Sequence, residues 1–230
     1  MRGGRGLFIT FEGLDGCGKT TQLAHLKETL SSRGPLVLST REPGGTAVGE
    51  RIRSILLDSR TAGLSSRAEL ALMFADRAQH VEEVIEPALQ SGKIVLCDRY
   101  TDSTEAYQGY GRQLGSELVL NLHRQLCHDL WPDLTLLLDS DLDASISRAR
   151  NRNQNVRSSE GRFEAEDEVF FRRVHYGFEQ IAQREAARVI RISTGSIQST
   201  AEEIIKIVEQ RFPQTARRAE PAVSKIGKRA

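Results

Sequence analysis

Apolar residues fall along this chain in two rhythms. Five short runs are almost continuously apolar, at 7–11 (LFITF), 36–40 (LVLST), 94–98 (IVLCD), 134–139 (LTLLLD) and 189–192 (VIRI). Such runs predict strands covered on both faces, as in a parallel sheet. Between them, apolar positions recur at three- and four-residue spacing over 20–33, 47–58, 66–91, 117–130, 142–153, 164–187 and 200–211, which predicts helices. Gly34-Pro35, Gly92 and Trp131-Pro132 punctuate them. Strand and helix alternate, so the expected fold is α/β: one domain over 1–212, a doubly wound five-stranded parallel sheet with helices on both faces. Ligands of such sheets bind at the carboxyl ends of the strands. The polar residues that carry chemistry gather there, at 12–20, 41–46, 98–100 and Asp139.

Two segments leave this rhythm. Residues 148–161 read RARNRNQNVRSSEG, too polar to be core. A short mobile lid over phosphates, about 148–162, is expected to have this character. Residues 213–230 carry Arg217, Arg218, Lys225, Lys228 and Arg229 among few large apolar residues, and a disordered basic tail is expected.

The first strand runs into Gly13-Leu14-Asp15-Gly16-Cys17-Gly18-Lys19-Thr20, which matches G-x-x-x-x-G-K-[ST] at every fixed position, and a helical pattern follows. This is a P-loop in its required strand–loop–helix setting. Its glycines let consecutive amides face one anionic centre at the positive end of a helix. Lys19 is expected to reach the β- and γ-phosphates and the Thr20 hydroxyl to bind Mg²⁺. The chain therefore binds a nucleoside triphosphate.

Composition narrows the class. Lys and Arg number 32 against 31 Asp and Glu, so no charge excess points to nucleic acid or a membrane surface. The apolar runs are strand-sized, so no membrane span is expected. The first six residues lack the apolar stretch of a secretory signal. Three cysteines, with no metal-binding spacing, suit reduced thiols in a cytosolic protein. An N-K-x-D guanine element is absent. Asp98 and Asp139 are followed by Arg99 and Ser140, not by the Glu that activates water in many ATPases. A phosphotransferase needs no such base when its acceptor is already an anion, only positioning and charge neutralisation.

Further motifs fill that role. Phe11-Glu12-Gly13 opening the P-loop, TREPGGT at 40–46, FADRAQHVEEVI at 74–85, DRY at 98–100 with AYQG at 106–109, and RFE at 162–164 together resemble the thymidylate kinase family. The resemblance covers about 7–212. It implies transfer of the γ-phosphoryl of ATP to dTMP with Mg²⁺, giving dTDP for dTTP synthesis, by a cytoplasmic homodimer that needs neither membrane nor nucleic acid. It implies that Asp15 takes the acceptor's 3′-hydroxyl and that Arg41 and Arg99 hold its phosphate. It further implies that Arg77 faces the base, and that Ser103, Thr104, Tyr107 and Gln108 complete the acceptor site, with Tyr107 crowding a 2′-hydroxyl. Asp98 either joins Thr20 at the metal, through water, or holds a phosphate-binding residue. Gly16 stands where one branch of the family has a catalytic arginine, which places this chain in the bacterial-type branch. There the lid supplies the charge, with Arg152 first and Arg150 beside it, and Arg148 or Arg157 as alternatives. The loop at Thr194-Gly195-Ser196 would lie near the adenine.

Two features depart from the family pattern. The stacking Phe usually lies four residues before the base-facing arginine, but that position is Met73, and Phe74 follows it. Either Met73 packs on the base or the helix turns to present Phe74. Cys17, inside the P-loop beside amides and Lys19, is expected to be alkylated with loss of activity that ATP prevents.

Overall fold

The structure is a computed structural model and describes residues 5–60, 63–142, 145, 147, 162–163 and 166–216. Five parallel strands form one sheet: β1 (Phe8–Glu12), β2 (Val37–Arg41), β3 (Ile94–Asp98), β4 (Leu134–Asp139) and β5 (Val189–Ser193). Their order is β2-β3-β1-β4-β5. From β1 the chain crosses to the edge strand β2, returns to β3 between them, and then builds β4 and β5 on the other side of β1. The order therefore reverses at β1, and the loop after β1 opens at that switch point. The register pairs Phe11 with Asp98 and Thr40 with Cys97, so the carboxyl ends of β1, β2 and β3 finish level.

Alternate side chains of each strand enter opposite layers. Ile9, Phe11, Leu96, Leu136 and Leu138 meet Leu23, Leu26 and Leu30 of α1 (Lys19–Ser31) and Ile204 and Val208 of the last helix, Ile197–Arg211. Phe8, Val95 and Cys97 face the other way. They pack on Leu70 and Phe74 of α3 (Ser66–His80) and Leu89 of α4 (Glu86–Gln90). That face also holds α6 (Ser116–Leu126) and α7 (Glu168–Arg184), so the last helix is α8. α2 (Ala47–Leu57) packs on α3.

The strand positions agree with the apolar runs to within a residue. The helix expected over 66–91 is interrupted: α3 passes through a π-helical turn, Val81–Ile85, before α4. A helical segment that the periodicity did not indicate follows β3. It comprises α5 (Thr101–Thr104) and a π-helical stretch, Glu105–Gly111. Apart from Ala106 its residues are polar, tyrosine or glycine, yet nearly all are buried, so no amphipathic stripe marks it. Gly111 lets α7 approach, because a Cβ there would lie 2.7 Å from Phe170. Buried Glu105 holds Arg184 of α7 through contacts of 2.6 and 2.8 Å. α6 ends at Leu126, short of the expected 130, where His128 and Asp129 take positive φ of 53° and 51°. Beyond α8 a 3₁₀ turn, Pro213–Ala216, docks through Arg33 Nη1 on the Thr215 carbonyl. Most of the expected 142–153 helix, the lid residues 148–161 and the tail residues 217–230 lie outside the described residues.

Candidate active site

A cavity of about 1000 Å³ opens over the carboxyl ends of β1, β2 and β3. Its floor is the P-loop. Gly13 (φ +130°) lies against the Leu138 carbonyl, 2.5 Å from where a Cβ would stand, so only glycine fits. Gly18 caps α1 in the left-handed region with no side-chain bond, which leaves the first amides of α1 available to an anion. Lys19 is buried and folds back on its own loop, donating to the carbonyls of Leu14 (2.8 Å) and Gly13 (3.1 Å). The Thr20 hydroxyl donates to Asp98 Oδ2 at 2.8 Å, so the last strand residue of β3 meets the start of α1.

Arg99 follows Asp98 in the left-handed region, φ 71°, which costs a non-glycine residue about 1–2 kcal/mol. Its surroundings hold it there. The Arg99 amide donates to the Phe11 carbonyl, and the Tyr100 amide donates to Glu12 Oε1 at 2.7 Å. Glu12 Oε2 bonds the Ser103 hydroxyl at 2.5 Å. Burial, reinforced by the nearby Asp102 carboxylate, pushes the Glu12 carboxyl up to about 8. The Arg99 guanidinium then reaches Ser103 Oγ (2.7 Å) and Asp15 Oδ1 (2.8 Å), above the Tyr107 ring. Burial works against its charge, but Asp15, with Tyr107, Asp98 and Glu12, together outweigh that and raise its pKa.

The turn after β2 supplies the second arginine. Arg41 makes two 3.0 Å bonds to Glu50, one turn into α2, and the Gly45 amide donates to the same carboxylate. The Gly44 amide donates to Asp76 Oδ1 at 2.9 Å, and Arg53 Nη1 to the Pro43 carbonyl at 3.0 Å. Burial, with Glu42 close by, lifts Asp76 to about 7. Glu42 binds Arg77 Nε at 2.7 Å and His80 Nδ1 at 2.9 Å. Burial of Glu42 is outweighed by Arg77 and His80, and its pKa is lowered. Arg77 is 2% exposed and spends Nη2 on Thr104 Oγ1 at 2.8 Å.

The family follows from comparison with known proteins. The sequence profile of a family described as Thymidylate kinase matches residues 11–228. A thymidylate kinase of Desulfovibrio desulfuricans is 52% identical over 184 residues, covering 79% of this chain and 85% of that protein. One of Pelobacter propionicus is 45% identical over 214 residues, covering 92% and 98%. The crystal structure of thymidylate kinase from Ehrlichia chaffeensis superposes with a TM-score of 0.74 at 36% identity, covering 89% of this chain and 99% of that one. This chain belongs to the thymidylate kinase family.

Its thymidylate kinase motifs converge on the one cavity. Asp15, Lys19, Thr20, Arg41, Asp98 and Arg99 line it, as do Gly16, Gly18, Arg77, Ser103, Thr104, Tyr107 and Gln108. Gly13, Leu14 and Cys17 build the P-loop behind that surface. The choice between Met73 and Phe74 resolves geometrically. Met73 lines the cavity, whereas Phe74 is fully buried beneath the Arg77 guanidinium, 5.0 Å from it, in the core with Tyr100 and Val81. The expected placing of Phe74 in the acceptor site is corrected on this ground, since one residue turns a helix by about 100°. Cys17 is 5% exposed, packs with Phe11 and Leu23 in the core, and does not face the cleft. Arg150 and Arg152 lie outside the described residues.

Sequence reasoning left out the residues that hold these groups. Glu42, Glu50 and Asp76 fix the turn after β2. Glu69 binds Gln108, Arg112 and Arg162. Phe163, next to Arg162, lines the cavity against Tyr107, 5.7 Å between ring centres. The available signal was a surplus of acids inside the motifs themselves, at Glu42 of TREPGGT and Asp76 of FADR. Among the described residues no helix is long and apolar enough to cross a membrane, and no group of three His, Cys, Asp or Glu could hold a metal.

Proposed function

We propose that this protein phosphorylates dTMP to dTDP with ATP, as its family membership implies. The observation that carries the reading is one cleft in which a P-loop faces two arginines, Arg41 and Arg99, at the ends of β2 and β3. ATP lies along Gly13 to Thr20, with its phosphates on the amides that begin α1 and on Lys19. The hydroxyl of Thr20 and the carboxylate of Asp98, 2.8 Å apart, are hard oxygen donors of the kind that hold Mg²⁺ together with phosphates and water. Bound there, Mg²⁺ would neutralise charge on the β- and γ-phosphates.

The acceptor is clamped by residues now paired with each other. Arg99 turns from Asp15, and Arg41 from Glu50, toward the acceptor phosphate, where a guanidinium fork suits a phosphate monoester. Asp15 is then free to accept the 3′-hydroxyl. Arg77 donates to the base O4, Gln108 meets its N3 edge, and Met73 supplies the flat apolar contact. Tyr107 packs beneath the sugar and leaves no room for a 2′-hydroxyl. Arg152 of the lid, with Arg150 beside it, covers the transferring group and excludes water. No general base is required, because the acceptor oxygen is already anionic.

The reading includes a homodimer. Val48 and Ile55, seven residues apart on α2, are each 47% exposed on one face that a second copy would cover. It also includes a cytoplasmic setting, which suits three unpaired thiols. The test is ADP release from ATP·Mg²⁺ with each nucleoside monophosphate in turn. Rapid turnover with dTMP, weaker with dUMP and negligible with the ribose form of TMP, is expected. Preference for another acceptor would overturn the mapping of the base site.

A further inference from the structure

α3 carries Glu69, Met73 and Arg77 in line, each one turn from the next, and the last two line the cavity while Glu69 lies buried behind it. Met73 and Arg77 have places in the acceptor site. Glu69 has none, and it is a costly residue to bury. It is 1% exposed and receives four bonds. Gln108 Nε2 donates to Oε1 at 2.8 Å and Arg112 Nε to the same oxygen at 3.2 Å. Arg112 Nη2 (3.2 Å) and Arg162 Nη1 (2.8 Å) meet Oε2.

An ionised carboxylate only accepts, so it dictates which end of a neighbouring amide turns toward it. Gln108 must give Glu69 its NH₂ group. Its Oε1 is then left as an acceptor, and no described residue donates to it. Gln108 lies in the cavity wall near Arg77. A carbonyl acceptor beside a guanidinium donor reads a base edge that offers N–H next to C=O. Thymine and uracil present that edge at N3 and O4. Cytosine presents the reverse, a bare N3 beside an amino group. With the Gln108 amide turned over, the wall would offer two donors and favour neither thymine nor a sharp rejection of cytosine.

We propose that Glu69 is a positioning residue for base selection: it fixes the polarity of the Gln108 amide, so that Oε1 accepts the thymine N3–H. This rests on dTMP being the acceptor. Arg112 and Arg162 serve it by fixing the carboxylate, with Arg112 itself seated on the Phe170 ring at 4.7 Å.

The test compares Glu69→Gln, Gln108→Ala and the double variant, reading kcat/KM for dTMP against dCMP. An amide at 69 offers both a donor and an acceptor, so the polarity is lost. Each single variant should lower the dTMP preference by about five- to tenfold, the worth of one hydrogen bond. The double variant should fall no further than Gln108→Ala alone, because Glu69 acts through that amide. A loss in the double variant equal to the product of the single losses overturns the inference. The wild-type protein gives a second reading that survives any folding defect in the variants. The side-chain NH₂ of Gln108, followed by ¹⁵N NMR, should stay protected from exchange when dTMP is added, while its resonance moves as Oε1 accepts the N3–H. Reorientation or loss of protection on binding overturns the inference. Wild-type preference for a different acceptor would instead sink the acceptor assignment, and this inference with it, before any variant is compared.

Discussion

Glu12 gives the sharpest physical test of the site's construction. Its carboxyl is fully buried at the end of β1 and pushed from 4.5 to about 8 by desolvation and by Asp102. A carboxyl that holds its proton more tightly when folded stabilises the fold at low pH. That stability drains away as pH rises from the unfolded value to the folded one, at about 1.4 kcal/mol per pH unit. Between pH 5 and 8 the loss comes to about 3 kcal/mol. Glu12→Gln removes the titration and keeps the geometry: the amide oxygen still accepts from the Tyr100 amide, and the NH₂ can reach Ser103 Oγ. The variant should match the wild type near pH 5 and exceed it progressively toward pH 8. Urea unfolding followed by circular dichroism at four pH values measures this difference directly, and titrating groups that do not interact with Glu12 cancel in it. An advantage that changes by less than about 1 kcal/mol across the range would refute the reasoning, since a group this buried has no solvent to screen the effect.

Three other outcomes follow from the same contacts. All three cysteines are buried, so a thiol reagent should label the native protein slowly and release all three only in denaturant, and activity should survive brief alkylation. This reverses the behaviour expected of Cys17 from its place in the motif, and rapid inactivation blocked by ATP would restore it. Gly49→Ala places a Cβ 2.5 Å from Asp76 Oδ1 and 2.8 Å from the Gly44 carbonyl, so it should cost about 1–3 kcal/mol of stability and raise KM for dTMP, read by melting and by initial rates. Glu50→Gln removes the carboxylate on which Arg41 rests. Both partners are about half exposed, so stability should shift by less than about 1 kcal/mol, and KM for dTMP should hold or fall. A large rise in KM would show that Glu50 presents Arg41 to the acceptor and does not merely hold it in reserve.

The sheet was legible in the sequence because burial on both faces leaves apolar runs of strand length, and the five runs lie within a residue of the five strands. The P-loop was legible because backbone geometry demands glycine at 13 and 18, and geometry of that kind leaves a trace in residue identity. The segment 101–111 was not legible. Its helical turns are buried on all sides by polar contacts such as Thr101 to His123 and Glu105 to Arg184, and periodicity reports only apolar stripes. The same limit governed the site. Residues that touch a substrate belong to short motifs that can be recognised as strings. Residues that hold them, such as Glu12, Glu42, Glu50 and Glu69, are single acids whose partners lie 35 to 93 positions away or, for Glu50, across the turn that precedes its helix, and nothing local distinguishes them from surface charge. What separates Glu12, Glu42 and Glu69 is burial beside donors brought in from distant parts of the chain, a property of three-dimensional packing. Met73 and Phe74 show the boundary between the two kinds of information. Helical geometry reduced the question to a rotation of about 100°, and only the packing of Phe74 against Tyr100 and Val81 fixed which side faces the cleft.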